Sequence, residues 1–124
     1  MESPLPRSQH QSFLLEPGLA IVFGGYCASK NLLLNDLWTL DTKSVPFSSK
    51  QLELTGCVWT KQEQQGSVPK ARKGHTIVKI PSQAKAILYG GYTYISNGPD
   101  QVPDNDFYLV DLKTFTWSIL KFKG

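Results

Sequence analysis

Residues 69–92 read PKARKGHTIVKIPSQAKAILYGGY, and residues 4–26 read PLPRSQHQSFLLEPGLAIVFGGY. Both stretches contain the same motifs in the same order: a proline, Arg-x-x-His, an apolar run and Gly-Gly-Tyr. A related block follows each pair of glycines, NDLWTLD at 35–41 and NDFYLVD at 105–111. Ordered marks that recur at a nearly constant spacing indicate a structural repeat, so the sequence predicts two copies of one folding unit.

The repeat accounts for both arginines and both histidines of the chain. The 124 residues include 2 histidines, and each lies three residues after the arginine of Arg-x-x-His, at the same place in the two copies. The insertions that distinguish the copies fall between the predicted strands, where structural repeats tolerate changes in length. We divide the chain into units at residues 4–68 and 69–121, each of which ends near a tryptophan. The repeated positions, which we interpret as structural, are Arg7, His10, Gly24, Gly25 and Trp59 in the first unit and Arg72, His75, Gly90, Gly91 and Trp117 in the second.

Each unit contains four short runs that are typical of β-strands. Turn residues separate the runs, as Glu16-Pro17-Gly18 does between the first two runs of the first unit. Short runs bounded by such residues favour antiparallel strands, and we predict an all-β fold of two four-stranded antiparallel blades. The predicted strands are 11–15, 20–23, 36–40 and 58–61 in the first unit and 76–80, 86–89, 107–111 and 116–120 in the second.

The order of these marks resembles the kelch repeat, whose members form β-propellers. The resemblance covers the chain from about Pro4 to Leu120, and it departs from the pattern at Gln9, where the second unit has Gly74. It implies a partial kelch-type β-propeller. Propellers close with about four to eight blades, so two blades imply a portion of a larger propeller. The alternative is self-association, in which several two-blade chains complete a ring.

The composition narrows the classes of partner. The chain is 40% hydrophobic and 19% charged, with a net charge of +3 and little arginine, which does not indicate a nucleic-acid surface. It has no run of roughly 18 apolar residues and no signal-peptide pattern at its N-terminus. Cys27 and Cys57 fall outside any Cys-x-x-Cys spacing and are interpreted as free thiols. We expect a cytoplasmic protein that binds neither nucleic acid nor membranes.

The marked residues do not form a catalytic pattern. The paired glycines lack the context of a phosphate-binding loop. His10 and His75 belong to different units, whereas a metal site needs several ligands at one point. Asp36, Asp106 and the other acids beside the third strands are interpreted as turn and strand-end caps. We expect no catalytic residue, no metal and no cofactor. The competing class is a kelch-like propeller enzyme, either an oxidase or a sugar-modifying enzyme.

Residues that do not repeat are the better candidates for function, because loops on a rigid scaffold carry specificity. The loops at 26–34 and 93–104 and the connection at 62–70 are expected to open on one face, where another protein or peptide would bind. Further kelch blades, in the same polypeptide or by self-association, are the other expected partners. Tyr94 is the preferred anchor for a partner. The resemblance to kelch proteins implies an adaptor, scaffold or substrate-receptor role, so we predict a non-catalytic protein–protein interaction module. The candidate partner-binding residues on this loop face are Lys30, Asn31, Tyr94, Asn97, Asp100 and Gln101.

Overall fold

The computed structural model describes residues 2–42, 57–94 and 101–121. Within these ranges the chain forms β-strands, turns and one 3₁₀ turn at Ala28–Lys30. No helix in these ranges has the length and apolar character needed to cross a membrane. The strands in chain order are β1 (Gln11–Glu16), β2 (Leu19–Cys27), β3 (Leu32–Asp41), β4 (Val58–Gln62), β5 (Gln65–Gly66), β6 (Arg72–Lys73), β7 (Thr76–Lys79), β8 (Lys85–Tyr89), β9 (Tyr92–Tyr94), β10 (Gln101–Pro103), β11 (Phe107–Asp111) and β12 (Thr116–Leu120).

Two of the three sheets in the described residues match the two predicted blades. The first sheet has the order β1-β2-β3-β4, and every neighbouring pair is antiparallel. The second has the order β5-β12-β11-β8-β7, in which the four long strands pair antiparallel in the same sequence as in the first sheet. The predicted all-β class with four antiparallel strands in each blade is therefore confirmed.

The structure adds strands that the sequence did not indicate. β5 lies before the predicted start of the second unit, yet it pairs parallel to β12 in the second sheet. The expected loop at 93–104 contains a hairpin of β9 and β10, and β6 pairs with β9 to make a small third sheet. The expected loop at 26–34 is reduced to residues 28–31, because β2 extends to Cys27 and β3 begins at Leu32. Buried side chains such as Leu33 and Cys27 explain why pairing continues there.

The hydrophobic core lies between the two sheets. Ile21, Phe23 and Leu37 project from the first sheet and are fully buried. The Phe23 ring packs against the Trp117 ring with centroids 5.1 Å apart, so the last strand of one blade contacts the second strand of the other. Burial of such large side chains supplies the main driving force for joining the blades. The second sheet contributes Ile77, Ala86, Leu88, Tyr108, Val110, Leu112 and Trp117.

The two closing tryptophans occupy equivalent strands but different environments. Trp117 is 1% exposed because the first sheet covers it. Trp59 is half-buried, and its ring meets the edge of Trp38 at a centroid distance of 6.5 Å. The repeat therefore predicted the position of both rings, whereas burial depends on which side of the blade faces its neighbour.

We expect Trp117→Ala to lower the free energy of unfolding by about 3–5 kcal/mol, because it would leave a cavity between the blades. Trp59→Ala is the matched control and should cost clearly less, since part of that ring already meets solvent. Urea unfolding of both variants, followed by circular dichroism, measures the difference. Equal losses in the two variants would contradict a core centred on the contact between the blades.

Candidate functional site

The two repeated arginines hold the chain at the end of the blades where the predicted loop face lies. Arg72 is 0% exposed, and its Nε donates to the Lys70 carbonyl at 3.1 Å. Its Nη1 donates to the Gly90 carbonyl at 3.1 Å, and its Nη2 pairs with Asp104 Oδ2 at 2.7 Å. One guanidinium thus joins the segment before β7 to the end of β8 and to the segment before β11. A planar group with five donors in fixed directions is well suited to that role.

Arg7 repeats this arrangement in the first blade. Its Nε donates to the Leu5 carbonyl at 3.1 Å and its Nη1 to the Gly24 carbonyl at 3.1 Å. Asp36 accepts both terminal nitrogens, at 2.6 and 2.9 Å, in a bidentate ion pair. Burial opposes ionisation of Asp36, but hydrogen bonds from Arg7 and Trp38 outweigh it and lower the pKa of the carboxyl. Each repeated arginine therefore holds three segments of its own blade together through hydrogen bonds and an ion pair.

The acid that pairs with Arg72 differs from the one that the repeat indicates. The aligned NDLWTLD and NDFYLVD blocks place Asp106 opposite Asp36. In the structure Asp104 takes that role, and Tyr108 donates to its Oδ2 at 3.3 Å, as Trp38 donates to Asp36 at 2.8 Å. Asp106 is exposed and contributes its backbone N–H to Asp104 Oδ1 at 2.9 Å. Although burial opposes ionisation of Asp104, the Asp106 amide and Arg72 lower the pKa of its carboxyl.

The second repeated histidine joins the two blades. His75 is 1% exposed, and its Nε2 lies 2.8 Å from the carbonyl oxygen of Phe23. Because a carbonyl can only accept, Nε2 carries the proton and donates it. Burial lowers the pKa of His75 to about 4, so the ring is neutral near pH 7. A Cβ at Gly24 would lie 2.8 Å from His75 Cε1, which explains the glycine at this contact.

The first repeated histidine has a different environment from the second. His10 is exposed, at the start of the first blade. Its Cβ would lie 2.9 Å from a Cβ at Gly25, so the second glycine of the pair is needed within its own blade. Gly91 makes the equivalent approach to His75, at 3.0 Å. The paired glycines thus serve two different contacts, one within a blade and one between blades.

The described partner-binding candidates lie in the turn from β2 to β3 and in the β9–β10 pair. Lys30 and Asn31 are exposed in the turn from β2 to β3, where Asn31 adopts a φ of 48° and accepts the Tyr26 hydroxyl proton at 2.6 Å. Tyr94 and Gln101 face each other across the β9–β10 pair. Two further candidates, Asn97 and Asp100, lie outside the described residues.

Two concave surfaces are lined by residues of the predicted loop face. A cleft of about 640 Å³ lies beside β3, the end of β4 and the 62–70 connection, and a smaller cavity of about 320 Å³ lies beside Tyr94. The residue that sequence reasoning missed is Gln64, whose Nε2 donates to the Asn35 carbonyl at 2.8 Å and whose Oε1 accepts from Trp117 Nε1 at 2.8 Å. Only its position in the 62–70 connection could have indicated it. The cleft is lined by Glu2, Asn35, Asp36, Lys61, Gln62, Glu63, Gln64, Gln65 and Val68, and the cavity by Lys70, Thr93, Tyr94, Val102, Pro103, Asp104, Asp106 and Tyr108.

Comparison with known proteins gives the family. The model of the family RAG2, Recombination activating protein 2, matches residues 8–114. The chain belongs to this family. A chain in the cryo-EM structure of RAG in complex with one melted RSS and one unmelted RSS superposes with a TM-score of 0.73 at 22% identity, over 96% of this chain and 36% of that one. This likeness shows the fold, a kelch-like β-propeller of which the chain forms a part.

Curated relatives of this RAG2-family chain are much longer proteins. Tip elongation aberrant protein 3 of Schizosaccharomyces pombe is 28% identical over 98% of this chain and 11% of its own length. The Rho GTPase-activating protein gacHH of Dictyostelium discoideum is 31% identical over 86% of this chain and 6% of its own length. The chain therefore spans a small part of the relatives that it matches.

The comparisons bear on the expected partners as well. The solved neighbour was determined in complex with RSS, so this likeness does not support the expectation that nucleic acid is no partner. That expectation, which rested on low arginine content, stays a prediction. Arg7 and Arg72 are both buried in ion pairs inside the blades, so neither arginine presents its guanidinium to a phosphate.

The pairing of Arg72 with Asp104, and not with Asp106, can be tested directly. We expect Asp104→Asn to lower the free energy of unfolding by about 2–3 kcal/mol, because it leaves the buried Arg72 without its counter-charge. Asp106→Asn is the matched control and should change it by less than about 0.5 kcal/mol, as exposed substitutions usually do. Thermal and urea unfolding at pH 7 measure both. A larger loss in the control would restore the pairing that the repeat alone indicates.

Proposed function

We propose that this chain is a non-catalytic protein–protein interaction module. In this proposal it is a pair of kelch repeats from a larger propeller, and it binds a protein or peptide on the loop face in an adaptor, scaffold or substrate-receptor role. The observation that carries the proposal is a difference between repeated and non-repeated residues. Arg7, Arg72 and His75 at the repeated positions are engaged in internal hydrogen bonds, whereas the clefts are lined mainly by residues that do not repeat.

The engaged side chains argue against acid–base chemistry at the repeated positions. Asp36 and Asp104 are held by arginines and a second donor each. His75 is buried and donates to a backbone carbonyl, which leaves it no access to a substrate. These residues have the arrangement of a scaffold. The proposal therefore assigns them stability and assigns binding to the turns above them.

The larger cleft has the chemistry of a peptide-binding groove. Gln62 and Gln65 line it, and amide side chains both donate and accept hydrogen bonds, as an extended peptide backbone requires. Lys61 and Glu63 place both signs of charge at its rim. Tyr94 in the neighbouring cavity is half-buried, and an aromatic ring held in this way is a common anchor at protein interfaces.

The relatives support a role that is independent of any one activity. Their names refer to tip elongation and to Rho GTPase activation, and the family name refers to recombination activation. A segment shared by proteins with such different names is better explained as a recognition module than as a common catalytic domain. In this proposal, the activity of a longer protein that contains this chain belongs to the other domains of that protein.

Site-specific photocrosslinking tests the position of the partner. A benzoylphenylalanine in place of Tyr94 should crosslink one discrete protein in cells that express the full chain. The matched control replaces Thr114, which is exposed in the turn between β11 and β12 at the opposite end of the blade. Equal labelling from both positions, or labelling from position 114 alone, would contradict the assignment of the loop face.

Binding measurements on the captured protein complete the test. Tyr94→Ala should weaken the complex about tenfold or more while thermal unfolding stays nearly unchanged, and Thr114→Ala should leave both unchanged. A labelled DNA duplex is measured in parallel at physiological salt. Saturable binding of the duplex without any discrete protein crosslink would replace the proposed protein partner with nucleic acid.

A further inference from the structure

A lysine is held over an aromatic ring where the two repeat units meet. The Lys73 ammonium, carried by β6, lies 5.2 Å from the ring centroid of Tyr26, which belongs to β2. The backbone of Lys73 pairs with β9, and its carbonyl oxygen lies 2.7 Å from a Cβ built at Gly91, so this segment is closely packed. The face of the ring attracts the cation and restricts its motion. Tyr26 comes from the first unit and Lys73 from the second, so both halves of this surface belong to the chain.

The turn from β2 to β3 completes the surface. The Tyr26 hydroxyl donates to Asn31 Oδ1 at 2.6 Å, and the Tyr26 backbone forms a bridge with Ser8 through bonds of 2.8 and 2.9 Å. Because its oxygen is engaged, the exposed Asn31 amide keeps its Nδ2 donors, which no described residue accepts. Lys30 is exposed beside it and adds a second ammonium group. We call Tyr26, Lys30, Asn31 and Lys73 the junction surface.

The junction surface carries positive charge without a counter-charge. Neither Lys30 nor Lys73 forms an ion pair with any residue that the structure describes, because the carboxylates before the third strands are paired with arginines. The exposed acid Glu63 lines the larger cleft together with a lysine, and Asp106 lines the smaller cavity together with another. A partner that supplies carboxylates would therefore complement the junction surface.

We propose that the junction surface binds an acidic segment of the partner protein, whose carboxylates accept hydrogen bonds from Lys73, Lys30 and the Asn31 amide. This inference rests on the proposed function, since it names the chemistry of the partner that the loop face would bind. Lys73 and Tyr26 then determine specificity. A lysine that is already held over a ring loses less conformational freedom on binding than a free one. The repeat alone does not indicate this role, because Ser8 stands at the position of Lys73 in the first unit.

The number of cations favours a peptide over a nucleic acid. The guanidinium groups of both arginines are buried in ion pairs, so the junction surface offers two ammonium groups and no arginine. Binding of a DNA duplex commonly engages about six to ten phosphates and weakens steeply as salt is added. Two carboxylates are enough to neutralise the junction surface. The affinity for an acidic peptide should therefore depend only weakly on salt concentration.

An NMR titration of the ¹⁵N-labelled 124-residue chain tests the inference. A peptide that alternates glutamate and serine should shift the amide signals of Asn31 and Lys73, whereas the same peptide with glutamine in place of glutamate should not. Lys73→Gln should raise the Kd of the glutamate peptide about fivefold or more, because it removes one charge and keeps a long polar side chain. The matched control, Lys113→Gln, changes an exposed lysine in the turn between β11 and β12 and should leave the Kd unchanged.

A second variant distinguishes a preorganised site from general surface charge. Tyr26→Leu keeps every charge but removes the ring beneath Lys73, so the Kd should rise about threefold or more. Circular dichroism of each variant verifies that the sheets are intact. An unchanged Kd in this variant would overturn the role of Tyr26.

Three further results would change the assignment. Equal affinity for the glutamate and glutamine peptides, or an equal loss in Lys113→Gln, would overturn the inference. A labelled DNA duplex that binds more tightly than the glutamate peptide, and loses affinity in Lys73→Gln, would replace the acidic segment with nucleic acid. Failure of the proposed function is seen separately: selective binding of the glutamate peptide without a crosslink from position 94 would support the junction surface and contradict the proposed position of the partner.

Discussion

The hydrogen bond from His75 Nε2 to the Phe23 carbonyl is the contact on which the arrangement of the blades depends. It spans 2.8 Å between residues on different blades, and Phe23 packs at the same place against Trp117. The histidine must be neutral to occupy this site, and burial lowers its pKa to about 4. The unfolded chain binds a proton more readily, so the contact stabilises the fold fully above about pH 6.5 and progressively less as the pH falls toward 4.

The fixed contact between the blades explains how the loop face can vary. Arg7 and Arg72 satisfy the carbonyls at the glycine ends of the second strands, and each is paired with an aspartate beside the third strand. The backbone directly beneath the turns is therefore held by hydrogen bonds within each blade. Turns that start from such an anchored frame can differ in length and composition without loss of the core, which is the property that a recognition surface needs.

The fold could be predicted from the sequence because the repeat fixes local features. In the second blade, Gly-Gly after an apolar run and Asn-Asp before the third strand mark the strand ends, and β11 and β12 lie at the predicted residues. In the first blade β2 and β3 continue through the same residues. Contacts between distant residues could not be predicted in the same way. The bond from His75 to Phe23 joins residues that occupy different repeat positions on different blades, and no spacing within one unit reveals it.

The candidate site could be predicted less completely, for two physical reasons. The insertion before the third strand of the second blade places Asp104 within reach of Arg72, so the acid that aligns with Asp36 is not the acid that forms the ion pair. The expected loop at 93–104 contains a hairpin instead, because β9 and β10 pair with each other and Thr93 is buried. Length changes alter which side chains meet, and only the structure shows the result.

The ionisation state of His75 tests the account most directly. Long-range ¹H–¹⁵N NMR of the imidazole, recorded from pH 7 to pH 4, distinguishes a ring protonated on Nε2 alone from one protonated on both nitrogens. The account predicts that His75 keeps a slowly exchanging Nε2 proton and a bare Nδ1 until the pH approaches 4. A His75 ring that titrates near pH 6.5 with a rapidly exchanging proton would contradict a buried contact between the blades.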